Sequence, residues 1–269
     1  MGGIPSEWIV PDWPAPQVVR AFVTTRHGGV SEGAWGAGAQ GGMNLGLGTG
    51  DDAARVARNR ELLQTFVPAP PRWLSLQHGS QVVQAESVGP SPASADASTA
   101  VAHHVVCGVT VADCLPILLA DRSGSVVAAA HAGWRGLAGG IVQATVLAMR
   151  RRAAGPIGEI LAFLGPGIGP GAFEVGAEVL AAMRGSLPHA ENAFCPIANG
   201  KFRADLPELA RQALIQVGVT SVYGGRWCTV SDPGRFYSYR RDRVTGRHAA
   251  VIWLEPRLGF DTRTPRSPQ

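Results

Sequence analysis

Three apolar runs stand close together in the middle of the chain: HVVCGVTV, LPILLA and SVVAAA. Runs of this length, bounded by turn residues, predict buried strands, and the DRSG between the last two predicts a hairpin turn. If paired positions sum to 245, Ala120 faces Ser125, Leu118 faces Val127, and Cys114 faces His131 on one face at the open end. Upstream, RWLSLQHGSQVVQAE predicts a strand, a turn at His78-Gly79-Ser80 and a second strand, and SVGPSPASADASTA predicts a surface loop. Downstream, EILAFLG predicts a strand and GPGIGPGAFEVG a loop.

Helical spacing appears three times. DDAARVARNRELLQTF carries Val56, Leu63 and Phe66 behind an acidic start. Leu137 to Met149 is apolar at Leu137, Ile141, Ala144 and Ala148 and ends in three arginines, which complement a helix C-terminus. DLPELARQALIQVG has Asp205 as N-cap, Pro207 in the first turn and Gly218 as its stop. Residues 26–50 are so rich in glycine that an irregular, functional loop is expected, and RFYSYRRDRVTGRHAAVIWL is expected to close the fold as a hairpin.

Composition narrows the function classes. A chain of 269 residues, 45% hydrophobic, can bury one large core. The formal charge of +4, from 24 basic against 20 acidic residues, suits an anionic small molecule better than a nucleic-acid backbone. The arginines cluster only in SYRRDRVTGR, without an aromatic reading surface, so no nucleic-acid partner is expected. The N-terminus lacks a basic segment and an apolar run of signal length, and no eighteen apolar residues run together, which predicts a soluble cytoplasmic protein without membrane contact. Cys107, Cys114, Cys195 and Cys228 form no close-set pairs, so a disulfide framework is not expected.

The candidate chemistry gathers around the central hairpin. Opposed cross-strand residues have Cβ atoms roughly 4.5–5.5 Å apart, from which the Cys114 thiolate and the His131 imidazole can share a metal ion or a proton. A one-residue slip in register would separate them, and plain packing of either side chain is the competing reading. Glycines at 133, 136, 139 and 140 clear space beside His131. Arg135, beside a helix expected to begin near Gly136, can cradle an anion; a surface ion pair is its alternative, as a core anchor is for Trp134. His78 ends a strand and opens a turn, and His27 precedes glycine in the same way, so spacing alone does not choose between them.

Eight motifs occur in order: TRHGGVSEG, NLG with DD and NR following, LQHGSQVV, VADCLPILLAD, AAHAGWRG, GPGIGPGAFEVG, DLPELARQAL and FYSYRRDRVTGR. Together they resemble the YfiH/PgeF family, long labelled laccase-domain or polyphenol oxidase proteins. The resemblance covers residues 19–254, leaving 1–18 as an N-terminal extension and 255–269 as a tail. It implies a single-domain α+β fold, a layered α/β/β/α sandwich with mixed sheets, and a zinc site formed by His78, Cys114 and His131. It also implies purine nucleoside phosphorolysis on adenosine, inosine and methylthioadenosine, together with adenosine deamination. Three ligands leave a fourth zinc position open, as catalytic rather than structural sites do. Asp113 is the candidate acid or orienting residue beside the catalytic Cys114 and His131, and Arg135, Arg60 and Asn44 are candidates for phosphate.

Two alternative activities attach to the same residues: an amide hydrolase that edits peptidoglycan precursors with Cys114 as nucleophile and His131 as base, and a copper-dependent polyphenol oxidase. Relatives often carry paired thiols ahead of the Glu-Val-Gly; Gly171-Ala172 stand there in this chain, which removes ligands that would recruit copper. The partners implied are purine nucleosides and phosphate, taken by a monomer or weak homodimer.

Overall fold

The runs at 115–120 and 125–130 do form a hairpin at the centre of the protein. The computed structural model describes residues 3–153, 155 and 157–256. In chain order its elements are β1 (Val19–Val23), β2 (His27–Ser31), α1 (Ala53–Gln64), β3 (Leu74–Ser75), β4 (Val82–Gln84), β5 (Ala93–Ser94), β6 (Ala97–Ala100) and β7 (Cys107–Val111). Next come β8 (Leu115–Asp121), β9 (Val127–Ala132), α2 (Trp134–Ala138), α3 (Ile141–Arg152), β10 (Ile160–Leu164), β11 (Glu174–Val175) and α4 (Ala177–Arg184). The last are β12 (Phe194–Pro196), β13 (Phe202–Ala204), α5 (Leu206–Gln216), β14 (Ser221–Gly224), α6 (Tyr239–Asp242) and β15 (His248–Leu254).

Strand β8 explains the layering. Its Ile117 and Leu119 pack with Val142, Val146 and Met149 of α3 and Leu209 and Leu214 of α5. Its Leu118 and Ala120 face the other way, onto Val109, Ala250 and Ile252. A strand covered on both faces reads as a continuous apolar run rather than an alternating one. It belongs to a mixed six-stranded sheet, β14-β10-β8-β9-β6-β4, which stacks on the three-stranded antiparallel sheet β1-β15-β7. The outer face of that second sheet, through Phe22, Val251 and Trp253, is covered by Leu63 of α1 together with Trp8 and Met43. Helices, sheet, sheet and helix therefore succeed one another, as the α/β/β/α expectation has it. Of the expected N-terminal extension, Trp8 stacks on Phe22 at 5.1 Å and Ile9 bridges Val23; residues 257–269 of the expected tail lie outside the described residues.

Several local expectations need correction. The hairpin register is shifted by two: Pro116 pairs with His131 and Ala120 with Val127. The turn is longer than DRSG because the Asp121 carboxylate accepts from the Ser125 and Val126 amides at 2.7 and 2.8 Å. A shift of two preserves the face, so Cys114 and His131 remain neighbours, now on a diagonal. The stretch taken as a surface loop contains β6, buried between β9 and β4. Its Ala, Ser and Thr side chains fit a narrow space and carry little hydrophobic signal. Strands β3 and β4 do not pair with each other; β3 joins β5 and β4 joins β6, both in parallel.

The helix expected from Leu137 to Met149 is two helices, because Gly140 takes a left-handed φ of +82° and restarts the chain. The glycine-rich segment holds β2 as well as irregular chain. The terminal hairpin is absent: Ser238 caps α6 by accepting from the Arg241 amide, and only β15 is a strand, paired with β1 and β7. Helix α4, which begins at Gly176 without a side-chain cap, has no counterpart in the sequence reading.

Candidate active site

The open end of the β8–β9 hairpin brings three ligand types together. His131 occupies the end of β9, Cys114 directly precedes β8, and His78 lies in the chain between β3 and β4 with a left-handed φ of +57°. Their donor atoms all lie within 4.8 Å of one another. The two imidazoles meet edge to face, with centroids 4.7 Å apart. Gly133 presses against the group: a Cβ there would stand 2.8 Å from Cys114 Sγ and 3.4 Å from His78 Cδ2. A side chain at that position would intrude on the space the three donors share.

Asp96 organises the group, and the sequence reading missed it. This fully buried carboxylate accepts from the amides of His78 and Gly79, each at 2.8 Å, and of Gln77 at 3.2 Å. It also meets His131 Nδ1 at 3.0 Å, while its own carbonyl takes the His131 amide at 2.7 Å. With Nδ1 donating to a carboxylate, Nε2 is left as the free donor atom of His131. The available signal was isolation: Asp96 is the sole Asp, Glu, Lys or Arg between Glu86 and Asp113.

The electrostatics follow from these contacts. Burial pushes the Cys114 thiol up, but the bonds and charges of His131 and His78 outweigh it and bring the thiol down to about 6. For His131 burial lowers the imidazole, and Asp96 and Cys114 together raise it to about 9. A thiolate poised in this way is both a soft-metal ligand and a nucleophile. The donor set, two imidazoles and a thiolate, fits zinc. A tetrahedral ion spaces such donors roughly 3.3–3.7 Å apart, and the three donor atoms here lie within 4.8 Å of one another. Among the described residues this is the single group of three or more metal-ligating side chains.

The trio opens into a cavity of about 560 Å³ that Trp134, Phe173 and Tyr239 also line. Arg135 lies on its wall, inside α2 and not ahead of a helix. Asp113 also lines it, at a φ of +88°, with both oxygens engaged: Thr229 Oγ1 and the Arg240 amide each donate at 2.6 Å. Arg240, Arg243 and Arg247, from the segment expected to form the closing hairpin, complete the basic wall.

The remaining candidates lie elsewhere. Asn44 is buried within its own loop, donating to Thr49 and Asp51 and accepting from the Arg247 amide at 2.9 Å, so it braces the arginine segment from behind. Arg60 donates twice to the Leu45 carbonyl and stacks on Trp73. His27 bonds the Gly234 carbonyl at 2.6 Å. None of the three lines the cavity.

Comparison with known proteins gives the family. Residues 20–255 match the family described as multi-copper polyphenol oxidoreductase laccase. A Pseudomonas aeruginosa protein named purine nucleoside phosphorylase is 49% identical over 250 residues, spanning 92% of this chain and 98% of the relative. Purine nucleoside phosphorylase YfiH of Escherichia coli is 44% identical, spanning 93% and 99%. Among solved structures, the Neisseria meningitidis protein NMB0706 superposes with a TM-score of 0.86 at 46% identity, covering 93% of this chain and all of that one. YlmD from Geobacillus stearothermophilus gives 0.83 at 30% identity, covering 94% and 98%. With its ordered motifs, its layered fold and relatives matched nearly end to end, the chain belongs to the polyphenol oxidoreductase laccase family that includes YfiH.

Proposed function

We propose that this protein is a zinc-dependent purine nucleoside phosphorylase acting on adenosine, inosine and methylthioadenosine, with adenosine deaminase activity, working in the cytoplasm as a monomer or weak homodimer. The observation that carries this reading is that the N₂S trio and four arginines face one cavity of about 560 Å³, a size typical of small-ligand sites. The phosphorylase names of its relatives support the reaction class.

His78, Cys114 and His131 are the residues that hold the metal, which when bound supplies Lewis acidity and lowers the pKa of water. Asp96 keeps His131 oriented. Trp134, Phe173 and Tyr239 supply aromatic lining for a purine, and Arg135 offers a guanidinium to phosphate. Both oxygens of Asp113 already accept hydrogen bonds, so we assign it positioning rather than acid catalysis. Copper of the blue-copper type takes the same two-histidine, one-cysteine set with a weak axial methionine, glutamine or backbone oxygen; among the described residues no methionine lines this cavity.

The decisive experiment measures bound metal by mass spectrometry and turnover of adenosine and inosine with phosphate, wild type beside Cys114→Ala. Near-stoichiometric zinc, lost in the variant along with ~10³-fold or more of the turnover, is the expected result. A zinc-loaded wild type that converts neither nucleoside overturns the reading.

The depressed Cys114 thiol supports a second reading, an amide hydrolase with Cys114 attacking and His131 moving the proton. In that case chelation spares activity and alkylation of Cys114 abolishes it.

A further inference from the structure

We propose that Arg243 is a binding residue for inorganic phosphate, presented to the cavity by a strained turn and acting with Arg135; the assignment rests on the phosphorylase reading for its ligand. The four cavity arginines are not equivalent. Arg247 spends donors on the Thr245 and Gly246 carbonyls at 3.0 and 2.9 Å, and Arg240 donates to the Glu174 carbonyl at 2.9 Å. The guanidinium groups of Arg135 and Arg243 have no hydrogen-bond or ion-pair partner among the described residues. They lie over Trp134 and Tyr239, at 4.4 and 5.8 Å from the ring centroids. Two forked donors without a hydrogen-bond partner, in a cavity whose one carboxylate among the described residues, Asp113, is fully engaged, suit a dianion that accepts bidentate hydrogen bonds.

The backbone sharpens the assignment. Arg243 has φ +61° and ψ −60°, and the Val244 amide bonds the Asp242 carbonyl at 2.7 Å across it. This is a γ-turn with positive φ at its centre, a strained form that glycine adopts with less cost. Its surroundings hold it there. Asp113 takes the Arg240 amide, Ser238 caps the Arg241 amide, and the Arg241 guanidinium bonds the Thr229 and Phe236 carbonyls at 2.7 and 3.0 Å. Strain held at a cavity wall, on a residue whose guanidinium has no hydrogen-bond or ion-pair partner among the described residues, points to a role for the guanidinium in binding. The clamp begins at Asp113, next in chain to Cys114, so the arginine turn and the ligand trio hang from adjacent residues.

The test compares wild type with Arg243→Gly, which removes the guanidinium and relaxes the turn, and with Arg243→Lys, which keeps charge but loses the fork. Inorganic phosphate binding is followed by titration calorimetry, and phosphorolysis is followed with phosphate and nucleoside varied separately. Arg243→Gly is expected to keep or raise the melting temperature and keep its metal. It should weaken phosphate binding at least tenfold and raise the KM for phosphate in step, with the KM for nucleoside within twofold; Arg243→Lys should fall between. A phosphate affinity in Arg243→Gly within twofold of wild type, or no phosphate binding by wild type, overturns the assignment. The two readings fail separately. Phosphate binding that depends on Arg243 in a protein that cleaves no nucleoside leaves the site and removes the phosphorylase. Phosphorolysis with an unchanged phosphate KM in Arg243→Gly does the reverse.

Discussion

His131 and His248 are both buried histidines on neighbouring sheets, and they behave in opposite ways. His131 has Asp96 on one ring nitrogen and Cys114 within reach, and its imidazole rises to about 9. His248 is fully buried against Phe236 and Tyr237, with neither ring nitrogen hydrogen-bonded among the described residues, and burial first, then the charges of Arg247 and Arg26, lower it to about 3. The cysteines repeat the contrast. Cys107, sealed in the layer between the sheets, is pushed up to about 12 by burial, while Cys114, beside its imidazoles, comes down to about 6. Burial alone makes such groups inert. A fixed partner of opposite charge makes them reactive.

Replacing the inert histidine tests one side of this contrast and should give the largest effect. His248 is neutral in the fold, so its contribution is fully present above the unfolded value near 6.5 and is lost as pH falls toward its folded value of about 3. His248→Leu removes that loss. Its denaturant-derived stability relative to wild type should improve by about 2–3 kcal/mol between pH 7 and pH 4.5; parallel stability curves would refute the assignment.

On the reactive side, Asp96→Asn takes the charge from His131 and disturbs the amide cradle under His78. Chelator competition should reveal a metal affinity ~10–100-fold weaker, and an unchanged affinity would show that His131 needs no orienting carboxylate. Gly133→Ala is the mildest probe. Its methyl group crowds Cys114 Sγ, so metal affinity should drop ~10-fold, with little change in melting temperature; equal loss of fold and metal would mean that the glycine serves packing alone.

How much of this was legible in the sequence depended on whether the signal was local. The central strands could be read because both faces are apolar, and α5 because Asp205 caps it and Pro207 opens it. The Cys114–His131 pairing survived a two-residue error in register because side chains alternate with a period of two. Strand β6 was hidden by its own small polar residues, and with it Asp96, whose four partners come from stretches distant in sequence. Asn44 and Arg60 resembled ligand residues because loop carbonyls and amides use the same donors and acceptors that a phosphate would. Arg243 offered no cue, since a turn with positive φ normally announces itself with glycine or asparagine.

The seat of Asp96 has a consequence for how the protein matures. It immediately precedes β6, which must zip onto both β4 and β9 before the carboxylate can gather the amides of Gln77, His78 and Gly79 and the ring of His131. The lowered thiol of Cys114 is therefore a property of the assembled sheet, because the carboxylate that fixes His131 and the His78 amide reaches both only where β6 lies between β4 and β9.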